Sequence, residues 1–416
     1  MKKLLLWLVM VVLMVALLLG GTLAVLYSMA GEKDMPQTNP TFMETELTPN
    51  GYEWQIPVLG GILHKEFTQP TNLTVQKLGD LGDTTPTLMP PAWATRSKAV
   101  LTAPDGTSAE VEGWDPATGI ALSYSKNGEY ELVLTLWQDG KGQTPAGPDG
   151  WYQYRASFSL NRQPQAALSD TRVSQGSVAA IRVSNILDGS TPALETDLGD
   201  VWFRTTKEGF MGYIPVTYNA EGGDHTMTLT CGELTQELTL TVTQAQASTV
   251  QSPAQAEIPG AASEYQNAIW PLYTRAAAEK LWSGPFVAPS NAGIQTDYGS
   301  ILMTDGNRAG RATGITYAAA EGSEAVAPQT GTVVYAGTLA LTGGTVVLDH
   351  GCGVKSYLFG LDAIAVAQGA TLQKGTVVGK VAAGQQLIYE LRIGSKSVDP
   401  AAAIEGKSAL QYREDL

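Results

Sequence analysis

The first hydrophobic feature of the chain is an uncharged, mostly apolar run, Leu4–Tyr27, that directly follows Lys2-Lys3. At about 1.5 Å per residue, a helix of this length measures about 36 Å, enough to cross a hydrocarbon core of about 30 Å. The pattern predicts that residues 1–30 hold a cytoplasmic tip and a transmembrane anchor, with the bulk of the chain outside the cytoplasm. The small residues in Ser28-Met29-Ala30 leave a cleaved signal peptide as the alternative, which also exports the chain.

Short β-like runs follow the apolar segment. Residues 31–50 are polar and contain proline, which predicts a stalk. Residues 51–162 alternate short apolar runs with Gly, Pro and Asp turns, which indicates a β-rich domain. In residues 163–243 the strands are short and regularly spaced, and apolar and polar residues alternate cleanly over Leu238–Val242. This spacing predicts an immunoglobulin-like β-sandwich.

The pattern changes again after residue 243. Residues 244–260 are a low-complexity linker. Residues 261–284 predict two short helices, the first starting at a capping box with Ser263 and interrupted by Pro271. Residues 285–405 return to short Val- and Gly-rich strands. The whole chain is therefore predicted to be mainly β: an N-terminal transmembrane helix, two β-sandwich-like units and a C-terminal β domain.

Charge and cysteine content narrow the function. The net charge is −14, so the surface repels nucleic acid, and a nucleic-acid partner is disfavoured. The two cysteines, Cys231 and Cys352, fall in different predicted domains, which disfavours a structural disulfide.

The C-terminal segment contains a series of short sequence motifs in a fixed order. They are Phe286-Val287-Ala288-Pro289, Thr296–Gly299, Val326-Ala327-Pro328, Gly331–Gly337, Gly344–Gly351, Lys374-Gly375, Val378-Gly379, Glu390-Leu391-Arg392 and Val398-Asp399-Pro400. In order and spacing these motifs resemble those of the lysostaphin/LytM-type zinc metallopeptidase family. The resemblance implies an antiparallel β domain with a long groove, which in active members cleaves peptide cross-bridges of peptidoglycan.

The resemblance also identifies the positions where active members hold zinc and perform catalysis. Three protein ligands hold Zn²⁺ there and leave one position for the attacking water. The ligand positions, a His, an Asp four residues later and the second His of a His-x-His strand, are occupied here by Ala312, Thr316 and Ile388. The two catalytic histidine positions are occupied by Gly360 and Gln386. Aliphatic side chains offer no ligand atom and neutral oxygens bind Zn²⁺ weakly, so we expect neither metal nor other cofactor.

A groove without zinc still predicts binding. By motif position, Arg311, Gln386 and Tyr389 are candidate groove contacts, and His350 is expected to shape a turn. The expected partner is peptidoglycan or an envelope protein such as a wall hydrolase or an assembly partner. Degenerate family members regulate or scaffold cell-wall remodelling in division or sporulation, and the resemblance implies such a role at the bacterial cell membrane. Two alternatives remain open: an active peptidoglycan-cleaving metalloendopeptidase with an unrecognised metal site, and a passive adhesive or structural surface protein.

Overall fold

The structure is a computed structural model that describes residues 2–82, 84–140, 146–187, 189–253 and 257–412. The chain divides into two compact units, Met1–Arg162 and Gln163–Leu416. Strands predominate over helices among the described residues, as the sequence predicts.

The first unit begins with one long helix and continues in strands. Its elements are α1 (Lys2–Met29), a 3₁₀ turn (Glu32–Asp34), β1 (Thr41–Phe42), β2 (Thr45–Glu46), β3 (Pro49–Val58), a 3₁₀ turn (Leu59–Gly61), β4 (Leu63–Gln69), β5 (Gln76–Asp80), β6 (Leu88–Met89), β7 (Arg96–Thr102), β8 (Ser108–Glu112), β9 (Gly128–Gln138) and β10 (Asp149–Leu160). Within α1, residues Leu6–Met29 are long and apolar enough to cross a membrane, a property that a signal sequence shares.

Two sheets build the first unit after α1. Six strands pair in the order β4-β3-β10-β9-β7-β8, with β5 parallel to β10, and a small sheet has the order β2-β1-β6. Strand β9 shows why the long sheet forms, because Tyr130, Leu132, Leu134 and Leu136 all face the core while the intervening residues do not. The core lies against this face.

The stalk predicted for residues 31–50 is wrong. Met35, Phe42 and Leu47 are buried in the core of the first unit, and Phe42 packs against Phe158 with a ring-centroid distance of 4.8 Å. The polar residues between them concealed three widely spaced apolar side chains. Burial of these side chains holds the segment against the long sheet.

The second unit opens with a β-sandwich. Its strands are β11 (Gln165–Leu168), β12 (Arg172–Ser174), β13 (Val178–Ser184), β14 (Ala193–Glu195), β15 (Arg204–Thr206), β16 (Gly209–Pro215), β17 (Gly223–Cys231) and β18 (Leu234–Thr243). They form two four-stranded sheets, β11-β13-β16-β15 and β12-β18-β17-β14, with apolar side chains of both sheets between them. The finer immunoglobulin-like assignment stays a prediction.

The C-terminal domain follows. Its elements are β19 (Thr249–Gln251), α2 (Ala261–Tyr273), β20 (Ile294–Thr296), β21 (Ile301–Thr304), β22 (Asn307–Arg311), β23 (Ile315–Tyr317), β24 (Glu324–Val326), β25 (Gly331–Leu339), β26 (Gly343–Gly351), β27 (Val354–Asp362), β28 (Thr371–Leu372), β29 (Val377–Val381), β30 (Leu387–Ile393), β31 (Lys396–Val398), α3 (Pro400–Ile404) and a 3₁₀ turn (Ala409–Gln411). Ten strands form one sheet with the central order β20-β23-β30-β27-β26-β25-β28.

The sandwich and the C-terminal domain share a core. On β13, alternate residues point to opposite sides: Ala179 and Ile181 face the sandwich interior, whereas Val178 and Ala180 join the core of the C-terminal domain. Tyr213 of β16 contacts Trp282 with a ring-centroid distance of 5.3 Å. The sandwich is therefore a structural support of the C-terminal domain.

Two predictions between these domains need correction. The linker predicted for 244–260 contains β19, which pairs in parallel with β21; residues 254–256 lie outside the described part. The helices predicted for 261–284 are one helix, α2, with Pro271 in its last turn. Strand β19 forms because its backbone hydrogen-bonds to β21, and the composition of the segment gives no sign of this pairing.

Candidate functional site

The candidate site is a cavity of about 610 Å³ in the C-terminal domain. One wall comes from β30 and its neighbours β23 and β27, another from α2, and a third from the segment that includes β19. All five positions that the family resemblance identified lie on its lining, namely Ala312, Thr316, Gly360, Gln386 and Ile388. The fold thus brings together residues that are up to 76 positions apart in sequence.

Strand pairing explains the convergence. Thr316 on β23 lies directly opposite Ile388 on β30, and Phe359 on β27 lies opposite Ile388 on the other side. Side chains in register on adjacent strands share one face of a sheet. Ala312 reaches the same place from the loop before β23, where its amide donates to the Ser300 carbonyl at 2.9 Å.

The chemistry of this lining does not fit a catalytic zinc ion. Ala312, Gly360 and Ile388 have no ligand atom, and Thr316 and Gln386 offer only neutral oxygen atoms. Among the residues that the structure describes, no group of three or more His, Cys, Asp or Glu side chains is placed to hold a metal ion. These positions therefore provide no three-ligand zinc site.

A buried ion pair forms one side of the cavity. Arg392 Nε donates to Glu390 Oε2 at 2.7 Å, and both side chains are about nine-tenths buried. Thr313 Oγ1 donates to the other oxygen of Glu390. The Arg392 guanidinium also lies 5.3 Å from the ring centroid of Tyr273. The carboxylate beside it raises the pKa of Arg392 despite burial, so the guanidinium stays charged.

Two of the three predicted groove contacts line the cavity. Gln386 is exposed at the rim, where its Nε2 donates to Gln295 Oε1 at 2.9 Å. Arg311 donates from Nη1 to the Tyr218 carbonyl at 3.0 Å and lies over the Tyr218 ring. Arg311 is therefore already held by the sandwich.

Tyr389 is the wrong member of this set. Its side chain is fully buried in the domain core, because adjacent residues of a strand point to opposite faces. Ile388 and Glu390 take the cavity face, so Tyr389 must take the other one. Burial raises the pKa of its phenol well above the usual range.

His350 is buried at the end of β26, away from the cavity lining. Its Nδ1 lies 2.8 Å from the Thr330 carbonyl and its Nε2 lies 2.8 Å from Ser356 Oγ. The carbonyl can only accept, so Nδ1 carries the proton and Nε2 accepts from the serine. Burial lowers the pKa of His350 to about 4, which keeps the ring neutral at pH 7. A role in holding the strand ends fits this geometry.

The sequence did not predict Glu390 and Arg392 as cavity residues, although both belong to one of the motifs that resemble the family. A signal was available: residues 388, 390 and 392 share one face of β30 by the two-residue period of a strand. The contribution of α2, through Tyr265, carried no comparable signal.

Most of the cavity lining lies in a segment that matches a family model. Residues 310–400 match the model of Peptidase family M23. No curated protein matches the chain.

Solved structures with similar regions include a peptidase M23 from Pseudomonas aeruginosa, at 19% identity over 56% of this chain and 94% of that one, with a TM-score of 0.42. The catalytic domain of lysostaphin from Staphylococcus simulans is 18% identical over 28% of this chain and 93% of that one, with a TM-score of 0.25. A chain of the SpoIIIAH and SpoIIQ complex is 20% identical over 29% of this chain and 97% of that one, with a TM-score of 0.24.

Proposed function

We propose that this chain is a membrane-anchored envelope protein with a C-terminal domain of the Peptidase family M23 type. The cavity of this domain binds a wall peptide or an envelope protein without hydrolysing it. Residues 4–27 hold it in the bacterial cell membrane, and the remainder lies outside the cytoplasm. The bound partner is positioned for the regulation or assembly of cell-wall remodelling.

One observation carries the proposal. The five positions where active relatives require ligands and catalytic histidines still line a single cavity, yet none supplies a strong zinc ligand. The cavity offers no three-ligand metal site, and the one carboxylate described in its lining, Glu390, is held by Arg392 and Thr313, so no free group is positioned to activate water. A cavity of about 610 Å³ is large enough to take a few residues of a peptide.

The rim favours an extended peptide as the ligand. Strand β20 ends the order of the large sheet and, within the described strands, pairs only with β23. A peptide can add to such an edge through main-chain hydrogen bonds. Gln295 of β20 and Gln386 are hydrogen-bonded to each other at the rim. Their amide groups can also bond to the backbone of a bound peptide.

The first test measures zinc content and peptidoglycan cleavage of the full-length chain purified in detergent. We expect no stoichiometric zinc and no release of peptide fragments. About one tightly bound Zn²⁺ per chain together with cleavage would establish the active-peptidase alternative and overturn the proposal.

The second test measures co-sedimentation of the full-length chain with purified peptidoglycan. Gln386→Trp places a bulky ring in the rim and should abolish sedimentation. Gln373→Trp is the matched control, because Gln373 is also exposed but follows β28 at the opposite end of the sheet. Equal sedimentation of both variants would show that the wall binds elsewhere, as in the adhesive alternative. If the unaltered chain does not sediment, the wall ligand is excluded and a protein partner must be sought by crosslinking from position 386.

A further inference from the structure

We infer that the tip of the β3–β4 hairpin, residues 58–63, inserts into the membrane leaflet in which α1 ends. The tip would then fix the orientation of the first unit on the bilayer. This inference rests on the proposed anchoring by residues 4–27.

The tip is apolar where a hairpin in water would be polar. Its sequence is Val-Leu-Gly-Gly-Ile-Leu, without a charge or a polar side chain. Hairpin turns in water favour Asn, Asp and Gly. Here Leu59 occupies a position with a φ of 53°, a conformation that is uncommon for a non-glycine residue.

The exposed apolar surface of the first unit is concentrated at this tip. Apart from α1, four large apolar side chains are exposed among the residues of the first unit that the structure describes. Three of them, Leu59, Ile62 and Leu63, belong to the tip, with 47%, 74% and 40% of their surfaces exposed. The fourth, Leu73, lies beyond the far end of β4. Such clustering of apolar side chains marks an interaction surface.

The tip lies beside the last turn of α1. Leu26 and Met29 of the helix line the same cavity of about 400 Å³ as Val58 and Leu59. Lys65 Nζ, two residues past the tip, donates to the Ala30 carbonyl at 2.6 Å. The hairpin and the helix end are therefore held together within one compact unit.

This position sets the depth of the tip. Leu26 and Met29 belong to the last turn of the segment Leu6–Met29, and Leu59 lines the same cavity as they do. The segment Leu6–Met29 is about 36 Å long as a helix, slightly more than the hydrocarbon core of about 30 Å. Its last turn therefore lies at the boundary between acyl chains and headgroups, where apolar side chains commonly insert by about 5–10 Å.

The residues next to the tip suit that boundary. Lys65 lies 5.4 Å from the ring centroid of Tyr27 and 5.3 Å from that of Phe67. Aromatic rings and lysines with extended side chains are typical of the headgroup region. Continuity with the span is the reason to assign the tip to lipid and not to a protein partner.

The test uses the full-length chain with a polarity-sensitive fluorophore on one introduced cysteine. Ile62→Cys probes the tip, Leu73→Cys is the matched control at the other end of the hairpin, and Leu17→Cys probes the middle of α1. Cys231 and Cys352 are buried, so the unaltered chain gives the background of labelling. Each protein is reconstituted into vesicles of phosphatidylethanolamine and phosphatidylglycerol, with and without nitroxide-labelled lipid.

We expect blue-shifted emission and several-fold stronger nitroxide quenching at positions 17 and 62 than at position 73. Quenching at 17 without quenching at 62 would overturn the inference and leave the anchor intact. No quenching at 17 would remove the anchor and the inference together. A probe at 62 that is shielded from aqueous iodide but not quenched by nitroxide lipid would assign the tip to a protein contact, which also overturns the inference.

A second variant tests the consequence without a label. Leu59→Ser with Ile62→Ser changes only exposed side chains, so the fold should persist in detergent. In vesicles, hydrogen exchange of the amides in residues 58–63 should be faster in this variant than in the unaltered chain. Equal exchange rates in vesicles would contradict insertion of the tip.

Discussion

Thr316 and Ile388 lie directly opposite each other on the antiparallel strands β23 and β30, on the face that lines the cavity. The family resemblance aligns both with positions where active members hold zinc. Ala312, the third such position, lies on the same cavity four residues before Thr316. The fold therefore brings these three positions to one cavity, although none of their side chains is a strong zinc ligand.

Introducing the three ligand side chains of active family members should create metal binding. We expect Ala312→His with Thr316→Asp and Ile388→His to bind about one Zn²⁺ per chain, because two histidines and a carboxylate leave one position for water. The measurement is isothermal titration calorimetry with Zn²⁺, followed by metal analysis after dialysis. The control keeps the first two changes and carries Ile388→Ala, which should bind zinc much more weakly. Equal affinity of the two proteins would show that Ile388 does not face the metal position.

Position 360 should not accept the histidine that the family resemblance would place there. Gly360 has a φ of 78°, and a Cβ atom would lie 2.1 Å from the Gln386 carbonyl oxygen. Gly360→Ala should cost roughly 1–2 kcal/mol for the backbone conformation alone, and the clash adds to this. Gly384→Ala is the matched control, since Gly384 also has a positive φ but open space around it. Thermal unfolding should show a larger loss for Gly360→Ala, and equal losses would contradict the clash.

The sequence predicted the C-terminal domain well because its turns and strands contain short motifs in the order and spacing that the family resemblance expects. The order of those motifs was enough to predict that Ala312, Thr316 and Ile388 line one cavity. The error at Tyr389 arose from motif position, since the alternation of β30 assigns that side chain to the core. Glu390 was missed for the same reason.

Other features could not be read from local pattern. Phe42 and Leu47 are isolated apolar residues in a polar segment, and their burial depends on a sheet that forms from distant strands. Strand β19 has no apolar periodicity and is defined by its pairing with β21. Pro271 lacks the amide that would donate to the carbonyl four residues earlier, and α2 continues for only two residues after it.

Breaking the buried pair beside the cavity should destabilise the C-terminal domain. Glu390→Gln leaves the charge of Arg392 buried without its partner, a change that typically costs 3–5 kcal/mol. Hydrogen exchange of the amides of β27 and β30 should be faster by about 10²–10⁴. Glu405→Gln is the control, because the Glu405–Lys407 pair is exposed to solvent and should contribute little to stability. Unchanged exchange in Glu390→Gln would show that the pair is dispensable.

Both cysteines should be unreactive in the folded chain. Cys231 and Cys352 are free and buried, and burial raises the pKa of Cys352 to about 12. The thiolate is the reactive form, so a thiol reagent should find neither group at pH 8. Titration with a chromogenic disulfide should give two thiols per chain after denaturation and none before it. Fast reaction of one thiol in the native chain would contradict its burial.

His350 links the stability of the second unit to pH. The ring is enclosed between Thr330 and Ser356, and burial lowers its pKa to about 4, compared with about 6.5 in an unfolded chain. Between these values the unfolded state binds the proton and the folded state does not. The stabilisation is therefore complete above pH 6.5 and is lost as the pH falls toward 4, by about 3 kcal/mol in total.

Replacing His350 should remove this acid sensitivity. In His350→Gln the side chain stays neutral at every pH, so the midpoint of the calorimetric unfolding transition should fall less between pH 6.5 and pH 4 than in the unaltered chain. His225→Gln should act in the opposite sense. Burial opposes protonation of His225, but the Glu221 carbonyl and Asp197 outweigh it and raise its pKa. A raised pKa contributes stability that is fully present below the unfolded value and is lost as the pH rises through the folded one. Removing His225 should therefore make the loss of stability on acidification steeper, and the same slope in both variants would contradict these assignments.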